Sequence, residues 1–426
     1  MVAHSLVVVM CTLFVLSVPI AVSIGLASIF GIQVMGAVNP VIIGQQLYVS
    51  LNKFPLVAIP FFILAGNLMN TGGISRRLVD FARVLVGNTQ GGLAATCVVT
   101  CMFFAAVSGS STATTFAIGA IMIPALVKAG YPKPWTASLQ ASSAELGIVI
   151  PPSIPLILYG VAADVSIGEL FIAGFGPGLL IGAALVAYVL IWARVTGNGK
   201  ADAVTGLKPW PAFRSAFWAL MMPVVVLGGI YGGVFTPTEA SAVAVAYALF
   251  VGMFIHRELG WRNLLPILEK SVVSSVLILF IIAWAGLFAF IINREGVPMA
   301  IGAWLTSNID SALVFLAFVV VTLLLIGMFI EAAAAIIVLA PILVPVAVAL
   351  GIDPVHFGIV MIVALAIGFI TPPFGLNLFA VCTVADLPVQ RIIAPTLNFI
   401  GVVVLCLVAI TLMPGISLGL RDLVFR

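Results

Sequence analysis

The chain has 426 residues, of which 63% are hydrophobic and 7% charged, with a mean hydropathy of +1.32. A soluble globule carries roughly 25% charged residues, so this composition excludes one and places the chain in a membrane. The net charge of +3 is scattered, with no basic run of the kind that binds nucleic acid. Apolar runs of helix-spanning length occupy residues 5–37, 54–70, 90–128, 135–163, 170–195, 216–256, 272–292, 311–350, 355–384 and 391–413. A span needs about 20 residues, and no ten-residue alternation of the β-barrel type occurs, so the expected fold class is an all-α polytopic membrane protein. The first run lacks a basic segment before it and a cleavage site after it, and reads as a retained helix, either one long helix or two short ones around Pro19. All five cysteines fall inside apolar runs, where thiols act as small hydrophobes.

Two segments share their punctuation at an offset of 221 residues: Pro124 with Pro345, Gly130 with Gly351, Gly147 with Gly368, and Pro151-Pro152 with Pro372-Pro373. Nearly the same offset relates Pro19 to Pro237 and Ala65-Gly66 to Ala285-Gly286. The expected organisation is two repeats, 1–195 and 216–413, joined by a polar linker at 196–215 and followed by a tail at 414–426. Basic residues concentrate in 76–83, 128–133, 194–214 and 257–270, read as cytoplasmic loops. The 76–83 cluster follows the 54–70 helix whereas 257–270 precedes the matching 272–292 helix, so the repeats are expected to be inverted in the membrane. Segment 90–128 then starts and ends on one side, as a re-entrant hairpin with SGSSTATT (108–115) at its tip. Its counterpart is 311–350, with Gly327 to Ala332 at the tip. Behind each hairpin stands a helix broken at mid-span: 135–163 at Ile150 to Ser153, and 355–384 at Thr371 to Gly375.

Irregular backbone is tolerated at membrane depth only where it is buried in protein or lines a wet cavity, so two tips and two breaks imply a central cavity. A double proline removes two amide donors and frees carbonyls about four residues back, which can coordinate a small hard cation, while half-helix N-termini suit an anion. The first candidate cation site is Ser108, Ser110, Ser111 and Thr112 facing Val149 and Pro151. The second is Gly327 and Glu331 facing Thr371 and Pro372. Candidates for contacting a substrate are Ser153, Gly375, Asn377 and Glu145, on or beside the breaks. Intramembrane carboxylates are functional candidates by default, and Glu331 leads them. Glu145 reads equally as a carboxylate paired within the protein. Glu239, after Thr236-Pro237, reads as helix N-terminal charge, and Ser271, Ser274 and Ser275 read as small residues permitting close helix packing. No histidine accompanies Ser110 as a base and no phosphate-binding glycine loop of the Walker type occurs, so neither an enzyme nor ATP hydrolysis is expected.

The stretches LNKFPLVAIPFFILAGNLMNTGGISRRLVDFARVLVG (51–87), SGSSTATTFAIGAIMIPALVKAGYP (108–132), IPPSIPLILYGVAADVSIGELFIAGFGPG (150–178), GGIYGGVFTPTEASAVAVAYAL (228–249) and LGIDPVHFGIVMIVALAIGFITPPFGLNLFAVC (350–382) resemble the large membrane subunit of tripartite ATP-independent periplasmic (TRAP) transporters, the DctM-like family. The resemblance implies a secondary transporter of the bacterial inner membrane, driven by sodium ions, in which hairpins and broken helices form a transport unit that moves like an elevator against a scaffold. It also implies two partners, a small four-helix membrane subunit (DctQ-like) and a periplasmic substrate-binding protein (DctP-like). Family substrates are carboxylates such as C4-dicarboxylates and sialic acid. One sodium site maps onto 108–112 with 149–153, the other onto 327–331 with 371–375. The chain departs from the family pattern at Ala332 to Ala335, where hydroxyls or proline are expected, and at Glu145 to Val149, which looks more like sialic-acid relatives.

Overall fold

Proline 19 divides the first apolar run into two helices, α1 (Val2–Val15) and α2 (Ile20–Met35), because proline lacks the amide that would continue the first. The computed structural model describes residues 2–16, 18–36, 39–86, 89–199, 208–297, 299–300, 303 and 311–425; residues 200–207 of the expected linker, with Lys200, lie outside these. Helix α3 (Val41–Leu51) occupies a stretch that the apolar runs leave out. Its two glutamines and lack of a buried residue explain why hydropathy passes over it. A short 3-10 turn leads into α4 (Ala58–Thr71).

The 76–83 segment is not a loop but part of α5 (Ile74–Val86). Ile74, Leu78, Val79 and Ala82 recur at helical spacing and are buried, while Arg76, Arg77 and Arg83 stand on the other positions. Such a strongly two-faced helix suits a membrane surface. Arg77 anchors it, pairing with Glu258 and donating to the Gly73 carbonyl at 2.8 Å.

The first hairpin is α6 (Gly92–Ser108) and α7 (Ser111–Lys128). The first broken helix is α8 (Lys133–Ala144) with the single turn α9 (Leu146–Val149), then α10 (Ile154–Ala163), bent by 42° at the break. Helices α11 (Ile167–Thr196), α12 (Pro209–Tyr231), α13 (Pro237–Phe250, ending in a π turn) and α14 (Trp261–Arg294) follow. The 257–270 segment is therefore mostly helical, with Arg262 and Lys270 inside α14. Glu239 closes a capping box with Thr236, in agreement with its reading as helix N-terminal charge. The second hairpin is α15 (Ala312–Gly327) and α16 (Ala332–Ala349), and the second broken helix is α17 (Pro354–Phe369) and α18 (Leu376–Ala385). Helices α19 (Val389–Leu412) and α20 (Gly415–Phe425) end the chain.

Among the described residues, eight helices are long and apolar enough to cross a membrane, nine if the bent pair counts as one span. The runs 5–37 and 355–384 contribute none of these spans, because Pro19 and the break at 371–375 divide them into helices shorter than a full span. Backbone detail recurs at the offset of 221 residues: α7 matches α16 end for end, Gly130 and Gly351 are both left-handed, and Pro151-Pro152 and Pro372-Pro373 are both cis. Helices α8 and α17 are buried on nearly every face and form the centre of the bundle.

The tail is an ordered helix. Ser417 meets His356 Nδ1 at 2.7 Å, and the buried Arg421 pairs with Asp353 at 2.7 Å and Asp422 at 2.6 Å. Burial works against the charged form of Asp353, but the Arg421 guanidinium and the amides of Val355 and His356 outweigh it and hold the carboxyl below its ordinary value. The stabilisation from that shift is present above the usual carboxylate pKa of about 4 and is lost as pH falls through the lower folded value. Arg421→Ala is therefore expected to make residues 415–425 protease-sensitive at neutral pH, as acidification does to the parent protein; limited proteolysis followed by mass spectrometry reads both.

Candidate functional site

At the first tip, Gly109 takes a left-handed turn (φ 62°) that ends α6 and lets Ser110 begin α7 as an extended N-cap. Ser110 Oγ accepts from the Ala113 amide at 3.4 Å. A chain of hydroxyls stiffens the turn: Ser108 Oγ lies 3.1 Å from Thr114 Oγ1, which donates to the Ser110 carbonyl at 2.8 Å, and Ser110 Oγ lies 3.1 Å from Thr112 Oγ1.

This tip sits on the first break. The Ile154 amide, at the start of α10, donates to the Gly109 carbonyl at 3.3 Å. A Cβ on Gly109 would stand 2.6 Å from the Pro152 carbonyl oxygen, and one on Gly147 would stand 2.7 Å from the Ser110 carbonyl oxygen. Only glycine permits these approaches.

The second tip meets the second break in the same way. Gly327 crosses Gly368 so closely that a Cβ on Gly368 would lie 2.6 Å from the Gly327 Cα. The Phe329 and Phe374 rings pack with centroids 5.4 Å apart.

The two tips then converge. Gly109, Ser110, Ser111 and Thr112 of the first, with Glu331, Ala332 and Ala333 of the second, line a pocket of about 60 Å³ that Ile154, Pro155 and Leu376 complete. A water needs about 10–15 Å³ by this measure, so a small ion with a few waters fits. Four helix N-termini meet here, those of α7, α10, α16 and α18. Three of the four lack a side-chain cap, which leaves the positive ends of these helices turned toward the pocket. Glu331 supplies a carboxylate beside them.

A larger cavity of about 360 Å³ adjoins through the shared residues Ser110, Thr112, Ile154, Ile278 and Glu331. Its lining also includes Asn67 and Asn70 of α4 with Lys270 and Ser274 of α14.

The expected residues thus divide. Ser108, Ser110, Ser111, Thr112 and Glu331 come together at the tips. Ser153, 1% exposed, donates back to the Ile148 carbonyl at 2.6 Å, and Thr371 to the Ile367 carbonyl at 2.6 Å. The Val149 carbonyl and Pro151 lie against Gly174 of α11, where a Cβ would stand 2.6 Å from that oxygen. Pro372 is half-buried at the second break, and Gly375 is buried where a Cβ would lie 3.0 Å from the Thr371 carbonyl oxygen.

Asn377 and Glu145 lie outside both cavities. Asn377 is fully buried, donating to Glu145 Oε1 at 2.8 Å and the Ala141 carbonyl at 3.0 Å, and accepting from Thr115 Oγ1 at 2.6 Å. Both were expected to contact substrate, with Glu145 read equally as paired within the protein; here they pair with each other as a buried tie between α7, α8 and α18. The cavity wall of Asn67, Lys270 and Ser274 escaped sequence reasoning. Ser271 and Ser275 do pack against their own helix, donating to carbonyls four residues back, but Ser274 lines the cavity. An asparagine and a lysine at the edges of apolar helices were the available signal.

The family model described as "Tripartite ATP-independent periplasmic transporter, DctM component" matches residues 7–416. The chain belongs to this family. Its similarity extends to the Pseudomonas aeruginosa C4-dicarboxylate TRAP transporter large permease protein DctM, 44% identical over 88% of each chain. It is also 42% identical to the isethionate TRAP transporter permease protein DctMQ of Oleidesulfovibrio alaskensis, over 95% of this chain; the match spans 64% of that relative's length. Among solved structures, the Alcanivorax borkumensis YdaH transporter superposes with a TM-score of 0.62 over 88% of both chains at 18% identity, which shows the shared fold. The chain is accordingly a multi-pass membrane protein of the TRAP large permease family, and its relatives are named as transporter permeases.

Proposed function

We propose that this TRAP large permease is a sodium-coupled importer subunit for a small organic acid anion, acting in the bacterial inner membrane by an elevator motion. The observation that carries this reading is the convergence of four helix N-termini and two hydroxyl- or carboxylate-bearing tips on one pocket. Positive helix ends hold the anion; tip carbonyls, hydroxyls and Glu331 replace the water shell of sodium. The family implies a small four-helix membrane subunit and a periplasmic binding protein as partners. Relatives named for C4-dicarboxylate and isethionate favour a compact anion over a sugar acid such as sialic acid.

In this reading the two repeats are inverted, and the two hairpins with the two broken helices form the moving unit. The cavity is lined by Asn70 and Lys270, which lie toward the side that the basic residues are read as placing in the cytoplasm. Helix α10 packs mainly on α16 and also touches α4 and the 3-10 turn before it, while its counterpart α18 packs mainly on α7 and α8 and, among the described residues, makes no such contacts with α4. That asymmetry supports a state open to the cytoplasm.

A thermal-shift panel of the cognate binding protein against succinate, isethionate and sialic acid tests the substrate class. Stabilisation by either small anion is expected, and stabilisation by sialic acid alone would contradict the reading. The combined change of Ser110 and Ser111 to Ala is expected to raise the sodium concentration for half-maximal uptake about thirtyfold, as the loss of about 1 kcal/mol for each of the two lost ligands implies. An unchanged sodium dependence would return both serines to a packing role.

A further inference from the structure

Two lysines stand near corresponding positions of the two repeats, and they are used differently. Lys53 immediately precedes the 3-10 turn that leads into α4, and its Nζ donates to the Val161 carbonyl at 3.2 Å, in the last turn of α10. That carbonyl is one of those a helix end leaves without an intrahelical partner, so the contact satisfies both groups. Lys270 belongs to the corresponding region of α14, given the match of Ala65-Gly66 with Ala285-Gly286. It forms no ion pair among the described residues, and it is the one basic side chain lining the 360 Å³ cavity.

Helix α14 has 34 residues and is about 51 Å long at 1.5 Å per residue, longer than the roughly 30 Å hydrocarbon core. Lys270 lies nine residues from its start, near the expected cytoplasmic edge of the bilayer, and lines the cavity. The same cavity is lined by Ser108, Ser110 and Thr112, of which Ser110 and Thr112 also line the pocket where the helix N-termini meet. One cavity is thus lined by two distinct sources of positive potential, the helix ends at the tips and the Lys270 side chain of α14.

We infer that Lys270 is a specificity-determining residue that binds the second anionic group of a dianionic substrate whose first anionic group lies at the converging helix N-termini. The inference rests on the proposed transport of a small anion and deepens it: Lys270 makes the site discriminate between a dianion and a monoanion of the same length. A charge-assisted hydrogen bond supplies about a tenfold or greater preference, and Gln in place of Lys removes it while keeping a polar side chain of similar reach.

The test uses the complex purified with its small membrane subunit, in sodium, with succinate and butyrate as four-carbon probes of different charge. Thermal stabilisation is titrated for the wild type, Lys270→Gln, Lys270→Arg and, as a charge control outside the cavity, Lys208→Gln. Half-stabilising succinate is expected at about tenfold or more lower concentration than butyrate in the wild type. That preference should collapse in Lys270→Gln, largely return in Lys270→Arg, and stay intact in Lys208→Gln. A wild type without preference for succinate, or a Lys270→Gln variant that keeps it, overturns the assignment of Lys270 alone. A wild type stabilised by neither succinate, butyrate nor isethionate contradicts the anion-transport reading itself.

Discussion

Gly109→Ala is expected to reduce uptake by reconstituted transporter at least tenfold, whereas Gly130→Ala is expected to leave most of it. Both glycines are left-handed, with φ of 62° and 89°. Both substitutions therefore incur the roughly 1–2 kcal/mol that this conformation costs an L-residue. They differ in space. A Cβ at 130 meets nothing within 4 Å, but at 109 it stands 2.6 Å from the Pro152 carbonyl oxygen and 3.3 Å from the Ser153 Cα, both backbone. The tip must then lift off the break, taking Ser110, Ser111 and Thr112 from their place opposite Glu331. A displacement near 1 Å at a reacting or binding centre can cost about a hundredfold in rate, so a tenfold loss is a conservative expectation. Equal uptake by the two variants, at equal amounts of folded protein, would mean that the contact between tip and break is not needed for transport.

The second large effect is on stability. Asn377→Leu removes both donors and the acceptor that hold Glu145, the Ala141 carbonyl and Thr115, three groups from the first half of the chain. Leaving buried polar groups without partners costs about 1–3 kcal/mol each, so a total near 3 kcal/mol and a fall of several degrees in apparent melting temperature are expected. The half-saturating concentrations of sodium and substrate should stay the same in the protein that remains folded, because neither Asn377 nor Glu145 lines a cavity. A raised substrate half-saturation with normal melting would restore Asn377 to a binding role.

That contrast illustrates how far the residues alone reach. Proline and glycine placement foretells both hairpins, both breaks and the split at Pro19, because these residues act on their own backbone whatever surrounds them. The run of hydroxyls at 108–115 and the lone Glu331 are likewise visible as polar groups in apolar surroundings. The direction of a side chain is not. Asn377 and Glu145 look like candidates from depth and polarity, and only the packing of α7, α8 and α18 turns them toward each other. Helix α5 shows the complementary failure: its arginines suggest a loop by charge, while Ile74, Leu78 and Ala82 at helical spacing make it a two-faced helix. The tips and breaks foretell a shared cavity with half-helix N-termini, but which four N-termini meet there depends on elements more than 200 residues apart.

The central claim is that sodium binding at the tips drives movement of the anion bound between them. Its most direct test is uptake of succinate or isethionate, whichever the binding protein retains, into proteoliposomes holding this chain with its small membrane subunit. Loaded binding protein is added outside, together with an inward gradient of either sodium or choline. Accumulation is expected with sodium and background uptake with choline. Equal accumulation under the two gradients would contradict the account.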